Sequence, residues 1–146
     1  MSGILFDTSV YIHALRQGER AILSLRRAAR ANDKRTRPLW LSVVVLEELY
    51  AGAVDARARK AFAQMERDFV KVGRLLVPSR NDWILAGQIL CQVGLKYGFD
   101  LIGRARLTND ALIAMSGANN GITIITRNPN DYALLSEFRQ FDWETF

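Results

Sequence analysis

The chain has 146 residues, 49% hydrophobic and 24% charged, with a formal net charge of +5. That is apolar material for one domain, residues 1–146, without the long uninterrupted apolar run of a membrane-spanning helix. Met1-Ser2-Gly3 lacks the basic start and apolar stretch of a secretion signal, and the single cysteine, Cys91, has no internal partner, so a cytoplasmic location is expected.

In chain order, residues 3–6 predict a short buried strand that stops at Asp7. A helix should follow at once, capped by Thr8 or Ser9, with Val10, Ile12 and Leu15 apolar. His13 in this helix reads as a structural residue rather than a metal ligand. Gly18 breaks the pattern, and residues 19–31 predict a basic amphipathic helix. Arg16, Arg20, Arg26, Arg27, Arg30, Lys34, Arg35 and Arg37 are opposed within residues 16–37 only by Glu19 and Asp33, so the rest of the chain is slightly acidic. A basic segment beside acidic functional positions suits a polyanionic substrate. A solvated helix face and an arginine-rich loop are the plainer equivalent.

Residues 38–41 predict a second strand, and Ser42 caps a helix over residues 43–53 that carries Glu47 and Glu48. Asp55 opens a further helix, ended by Gly73. Residues 74–77 predict a third strand, and Ser79 or Asn81 caps a long helix over residues 81–97, in which Cys91 is expected as a core thiol. Residues 97–105 read as a loop, after which Thr108 caps a helix with Asp110 in its first turn. Asn119-Asn120-Gly121 is turn chemistry. The β-branched run at residues 122–126 predicts a fourth strand, Asp131 opens a short helix, and residues 138–143 supply an edge strand.

Strands alternating with helices predict an α/β fold: a three-layer α/β/α sandwich around a mainly parallel sheet of four to five strands. Loops after parallel strands collect on one edge, where ligands bind. Asp7, Glu47 or Glu48, and Asn128 with Asp131 all follow strands. Asp110 joins them if its helix begins at that edge and runs antiparallel to the sheet. Carboxylates gathered there repel, by about 4 kcal/mol per pair at ~4 Å and an effective dielectric near 20. They must protonate or hold a cation. Lacking a histidine or cysteine set, they suit a hard ion such as Mg²⁺ or Mn²⁺ and the chemistry of phosphodiester cleavage.

Four stretches carry a resemblance. They are Leu5-Phe6-Asp7-Thr8-Ser9-Val10-Tyr11-Ile12; Leu41-Ser42-Val43-Val44-Val45-Leu46-Glu47-Glu48-Leu49-Tyr50-Ala51-Gly52-Ala53; Leu107-Thr108-Asn109-Asp110-Ala111-Leu112-Ile113-Ala114; and Gly121-Ile122-Thr123-Ile124-Ile125-Thr126-Arg127-Asn128-Pro129-Asn130-Asp131-Tyr132. In that order they resemble the PIN domain, and more narrowly the VapC-type toxins of bacterial toxin–antitoxin pairs. The resemblance implies a Mg²⁺- or Mn²⁺-dependent endoribonuclease, a homodimer held in check by an antitoxin protein. It implies Asp7, Glu48 and Asp110 as acids that bind metal, with Ser9 and Thr126 as supporting hydroxyls and Glu47 as a solvated neighbour. The family's fourth acid falls on Asn128 here, so either Asp131 takes that role or Asn128 holds a metal water. Arg127, Arg16 and Arg20 are the expected RNA contacts. The rival expectations are a metal-dependent nuclease or phosphatase acting on another phosphate substrate, and a non-catalytic PIN-like module that binds RNA or protein.

Overall fold

The structure is a computed structural model that describes residues 3–18, 37–103 and 105–146. The predicted basic helix, with Arg20, and most of the arginine-rich loop lie outside those residues. Five strands, β1 (Ile4–Phe6), β2 (Leu39–Ser42), β3 (Leu75–Leu76), β4 (Thr123–Thr126) and β5 (Trp143–Thr145), form one sheet in the order β3-β2-β1-β4-β5. Every pairing is parallel, with Leu5 opposite Trp40 on one side and Ile124 on the other. Among the described residues six α-helices cover the sheet: α1 (Thr8–Gln17), α2 (Val43–Ala51), α3 (Ala56–Lys71), α4 (Arg80–Tyr97), α5 (Ala105–Asn119) and α6 (Pro129–Ser136). The expected α/β/α sandwich is therefore present. Leu5, Leu41 and Ile124 are wholly buried, as central parallel strands covered on both faces require.

The sheet order fixes the site. From β1 the chain moves outward through β2 to β3, then returns to the other flank of β1 with β4 and β5. The order reverses between β1 and β4, and the crevice at the carboxyl ends of those two strands is where such folds bind ligands. Asp7 follows β1 and Thr126 ends β4.

Several boundaries differ from the sequence reading. The N-cap of α1 is Asp7 itself, whose side chain accepts from the Ser9 N–H, so Thr8 and Ser9 lie inside the helix with their hydroxyls free for other partners. Helix α5 starts at Ala105, not after Thr108. Leu107 is already buried, so the helix is anchored to the core one turn earlier than a cap at Thr108 allows. Asp110 is thus the sixth residue of α5 and not in its first turn. Asp131 does not cap α6: Asn128 holds that position without a side-chain bond, Pro129 begins the helix, and Asp131 sits in the first turn. The last strand begins at Trp143, because residues 138–142 are taken up by a turn and by Phe141, which packs edge-on against Tyr132 at 6.3 Å.

Cys91 is exposed, not a core thiol. The buried stripe of α4 runs through Ala86, Ile89, Leu90 and Val93, and Cys91 falls on the opposite side with exposed Ile84 and Leu95. Apolar neighbours in sequence had suggested burial, but on a helix adjacent residues point about 100° apart.

The approach of α5 to β4 carries Asp110 to the site. A Cβ on Gly117 would lie 2.7 Å from Cδ1 of Ile124, so glycine lets the helix lie this close without displacing that side-chain tip. Gly121, at φ +63°, then reverses the chain into β4. The helix consequently runs back along the strand. At about 1.5 Å per residue, Asp110 lies ~14 Å from the end of α5, close to the ~13 Å length of β4. Asp110 therefore stands level with the strand's carboxyl end.

Candidate active site

Asp7 is held by its own helix and by β4. It is only 4% exposed, and its N–H donates to the Ile125 carbonyl at 3.0 Å. One carboxylate oxygen accepts from the Ser9 N–H at 3.0 Å and from the Ser9 hydroxyl; the other accepts from Thr126 Oγ1 at 2.6 Å. The Ser9 and Thr126 hydroxyls are tied in turn to the loop beyond β4, because Ser9 Oγ accepts from the Arg127 N–H and Thr126 Oγ1 from the Asn128 N–H, both at 2.9 Å. Burial pushes the Asp7 carboxyl above its usual range, and the hydroxyls of Ser9 and Thr126 and the N–H groups of Val10 and Ser9 pull it back in part.

Glu48 comes from α2, one turn before that helix ends at Gly52. Its Oε1 accepts from Thr8 Oγ1 at 2.8 Å, which ties α2 to α1 across the crevice. Half-burial raises its pKa; hydrogen bonds from Thr8 and Asn109 lower it, and the charges of Glu47 and Asp7 add to the rise. Glu47 is exposed and accepts from the Asn109 side chain at 3.2 Å.

Asp110 is 8% exposed and sits in a different kind of environment. Burial is again the largest influence, but here the neighbours reinforce it: a hydrogen bond with Asp131 and the charges of Asp131, Asp7 and Glu48 push its pKa to about 8. The carboxyl is therefore mostly protonated at neutral pH. The fully buried Tyr132 hydroxyl donates to Asp110 Oδ1 at 3.3 Å and buttresses it from below.

Asp7, Glu48, Asp110 and Asp131 are thus drawn from α1, α2, α5 and α6 into one electrostatically coupled group. Asn128 is half-buried, and its observed contact is through its backbone to Thr126. Arg127 lies exposed at the rim. Arg16 is exposed in the last turn of α1, away from the strand end that begins that helix, and Arg20 falls outside the described residues. Three residues that the sequence reading did not single out take part: Thr8 holds Glu48, Asn109 reaches the adjoining Glu47, and Tyr132 holds Asp110. Thr8 and Asn109 each adjoin a singled-out acid, which was the available signal. Nothing in the sequence separates the Tyr132 hydroxyl from an ordinary core tyrosine.

The model of the PIN domain family matches residues 4–135. The chain belongs to the PIN domain family. Compared with curated proteins, the sequence has no significant match. Among solved structures, this PIN domain is similar to a DNA-bound VapBC from Salmonella typhimurium, with a TM-score of 0.66 and 18% identity over 99% of this chain and 98% of that one. A VapBC2 from Rickettsia felis bound to a promoter DNA fragment gives 0.63 and 17%, covering 98% of each chain. VapBC-1 from nontypeable Haemophilus influenzae gives 0.62 and 17%, covering 97% of this chain and 96% of that one. At these identities the likeness is one of fold.

The donor set of the PIN site is entirely oxygen, which fits a hard divalent cation. His13, half-buried in α1, and Cys91, exposed on α4, offer no zinc-like set. Among the described residues no three His, Cys, Asp or Glu side chains form a ready-made cluster. Oxygen donors of this kind suit a hard ion that keeps part of its water shell.

Proposed function

We propose that this PIN domain is a Mg²⁺- or Mn²⁺-dependent endoribonuclease, the VapC-type toxin of a toxin–antitoxin pair. The observation that carries the reading is the coupling of the four acids at the β1/β4 switch point, with Asp110 forced toward its neutral form. A carboxyl that buried, with like charges around it, is a group waiting for a cation. Asp7, Glu48 and Asp110 would hold the ion, with Asp131 filling the fourth place in preference to Asn128, because Asp131 is the one coupled to Asp110. When bound, the ion would supply an activated water and a counter-charge for the leaving oxygen.

The residues of this chain do the rest. Ser9 and Thr126 fix the direction of both Asp7 oxygens, and Thr8 fixes one oxygen of Glu48. Tyr132 keeps Asp110 from turning into the core. An ionised carboxylate accepts a proton from the attacking water as its oxygen bonds to phosphorus; the opposite P–O bond breaks, and the departing oxygen takes up a proton. Arg127 at the rim and Arg16 farther off, together with Arg20, would neutralise backbone phosphates, so binding should weaken with salt.

The VapBC complexes among the similar structures support an antitoxin partner; a homodimer through the exposed apolar side of α4 belongs to the same proposal. The direct test is cleavage of RNA and DNA oligonucleotides of one sequence by the purified protein, with Mg²⁺ and with a chelator. RNA cut only with the metal is expected. DNA cut in preference would support the rival phosphate substrate, and neither cut would leave a binding module.

A further inference from the structure

Phe146 lies outside the stretches that resemble the family, yet it stands at the rim of the acidic edge. Because β5 runs parallel to β4, the chain emerges beside Thr126, and the Phe146 N–H donates to the Thr126 carbonyl at 2.7 Å. Its ring meets Phe6, the residue before Asp7, edge-on at 5.8 Å. The Arg127 guanidinium lies over the same ring, 5.5 Å from its centroid. Phe146 remains 58% exposed. Arg127 is thereby gripped at both ends: its backbone N–H is bonded to Ser9 Oγ within the Asp7 network, and its side chain rests on the ring.

This grip has a chemical consequence. Stacking engages the face of a guanidinium and leaves its planar fork of N–H donors directed outward. Among the described residues no carboxylate pairs with Arg127. A loose arginine beside four acids would fold onto them, whereas a stacked one keeps its donors for an incoming anion. A phosphate is the anion that such a fork accepts in two-pronged fashion.

We infer that Phe146 is a positioning residue that holds the Arg127 guanidinium at the rim of the carboxylate site, where it grips a backbone phosphate of single-stranded RNA. The inference rests on the RNA reading of the site. An exposed cation–π contact corresponds to roughly a two- to fivefold effect on binding.

The test measures binding of a fluorescent 2′-O-methyl oligoribonucleotide in Mg²⁺ across a salt series, beside cleavage of the unmodified RNA. Phe146→Ala and Phe146→Leu should weaken binding roughly two- to fivefold, and Phe146→Trp should bind like the wild type. Arg127→Ala should lower the salt slope by about 0.7, the value of one single-strand phosphate contact. Adding Phe146→Ala to Arg127→Ala should cost nothing more. Wild-type binding by Phe146→Leu, additive losses in the double variant, or no binding by the wild type would each overturn the inference. If the variants behave as expected but unmodified RNA stays uncut, the rim contact stands and the nuclease reading fails.

Discussion

Asp7 and Asp110 are nearly equally buried, on facing sides of one crevice, yet they are held in opposite ways. Around Asp7, hydroxyls and N–H groups oppose the effect of burial; around Asp110, the hydrogen bond to Asp131 and three negative charges add to it. Burial raises both carboxyls, and the neighbours decide how far each one rises. The Asp7 side is organised by the fold, since its carboxylate doubles as the cap of α1. The Asp110 side is completed by a proton when metal is absent, and by a cation in the proposed nuclease.

Substitution at Asp7 separates the two roles and should give the largest effect. Asn caps a helix about as well as Asp, so Asp7→Asn should melt close to the wild type while RNA cleavage falls at least ~100-fold, a loss typical of a ligand or base in such chemistry. Asp7→Ala should also lose about 1 kcal/mol of stability with the cap. Wild-type-like cleavage by Asp7→Asn would remove Asp7 from the chemistry.

The Asp110 side should reveal itself through pH. Its folded pKa, about 8, is raised, so the folded protein keeps a proton that the unfolded chain loses above the ordinary carboxylate range. That contribution is complete at low pH and is lost as pH rises through about 8. Chelator-treated protein should therefore lose on the order of 2 kcal/mol or more between pH 5 and pH 9, since each unit of pKa corresponds to about 1.4 kcal/mol. Asp110→Asn, which keeps the neutral form at every pH, should flatten the profile. An equal slope in that variant, by chemical denaturation, would place the coupling elsewhere.

Removing a donor from Asp7 sharpens the contrast on a smaller scale. Thr126→Val deletes the 2.6 Å bond to the buried carboxylate and should cost about 1–3 kcal/mol. It should also move the acidic limb of the pH–rate profile upward, because Asp7 then resembles Asp110. Thr8→Val, at the half-exposed Glu48, should have the smallest effect: a few-fold in rate and about 1 kcal/mol or less in stability.

The sequence made the fold legible because its strands are short apolar runs followed at once by capped helices, and Ser42, Asp55 and Ser79 cap as expected. Asp7 and Asp131 were legible as positions, since each lies just past a strand and at the start of a helix; Glu48 and Asp110, each the sixth residue of its helix, were singled out by the resemblance. The environments of all four were not legible. That α5 begins at Ala105 depends on Leu107 reaching the core, and that Asp131 meets Asp110 depends on how α6 packs beside α5. Both are tertiary facts without a local signature. Thr8 bonded to Glu48, 40 residues away, belongs to the same class. Cys91 was misread because an apolar neighbourhood in sequence was taken for one in space.

The central claim is that a divalent cation replaces the proton on the Asp110 side, and calorimetry of Mn²⁺ binding in two buffers of different ionisation heat measures that replacement directly. Mn²⁺ should bind with release of close to one proton at pH 7 and little release well above pH 8, and Asp110→Asn should release none. Absence of Mn²⁺ binding, or binding with no proton released at pH 7, would contradict the account.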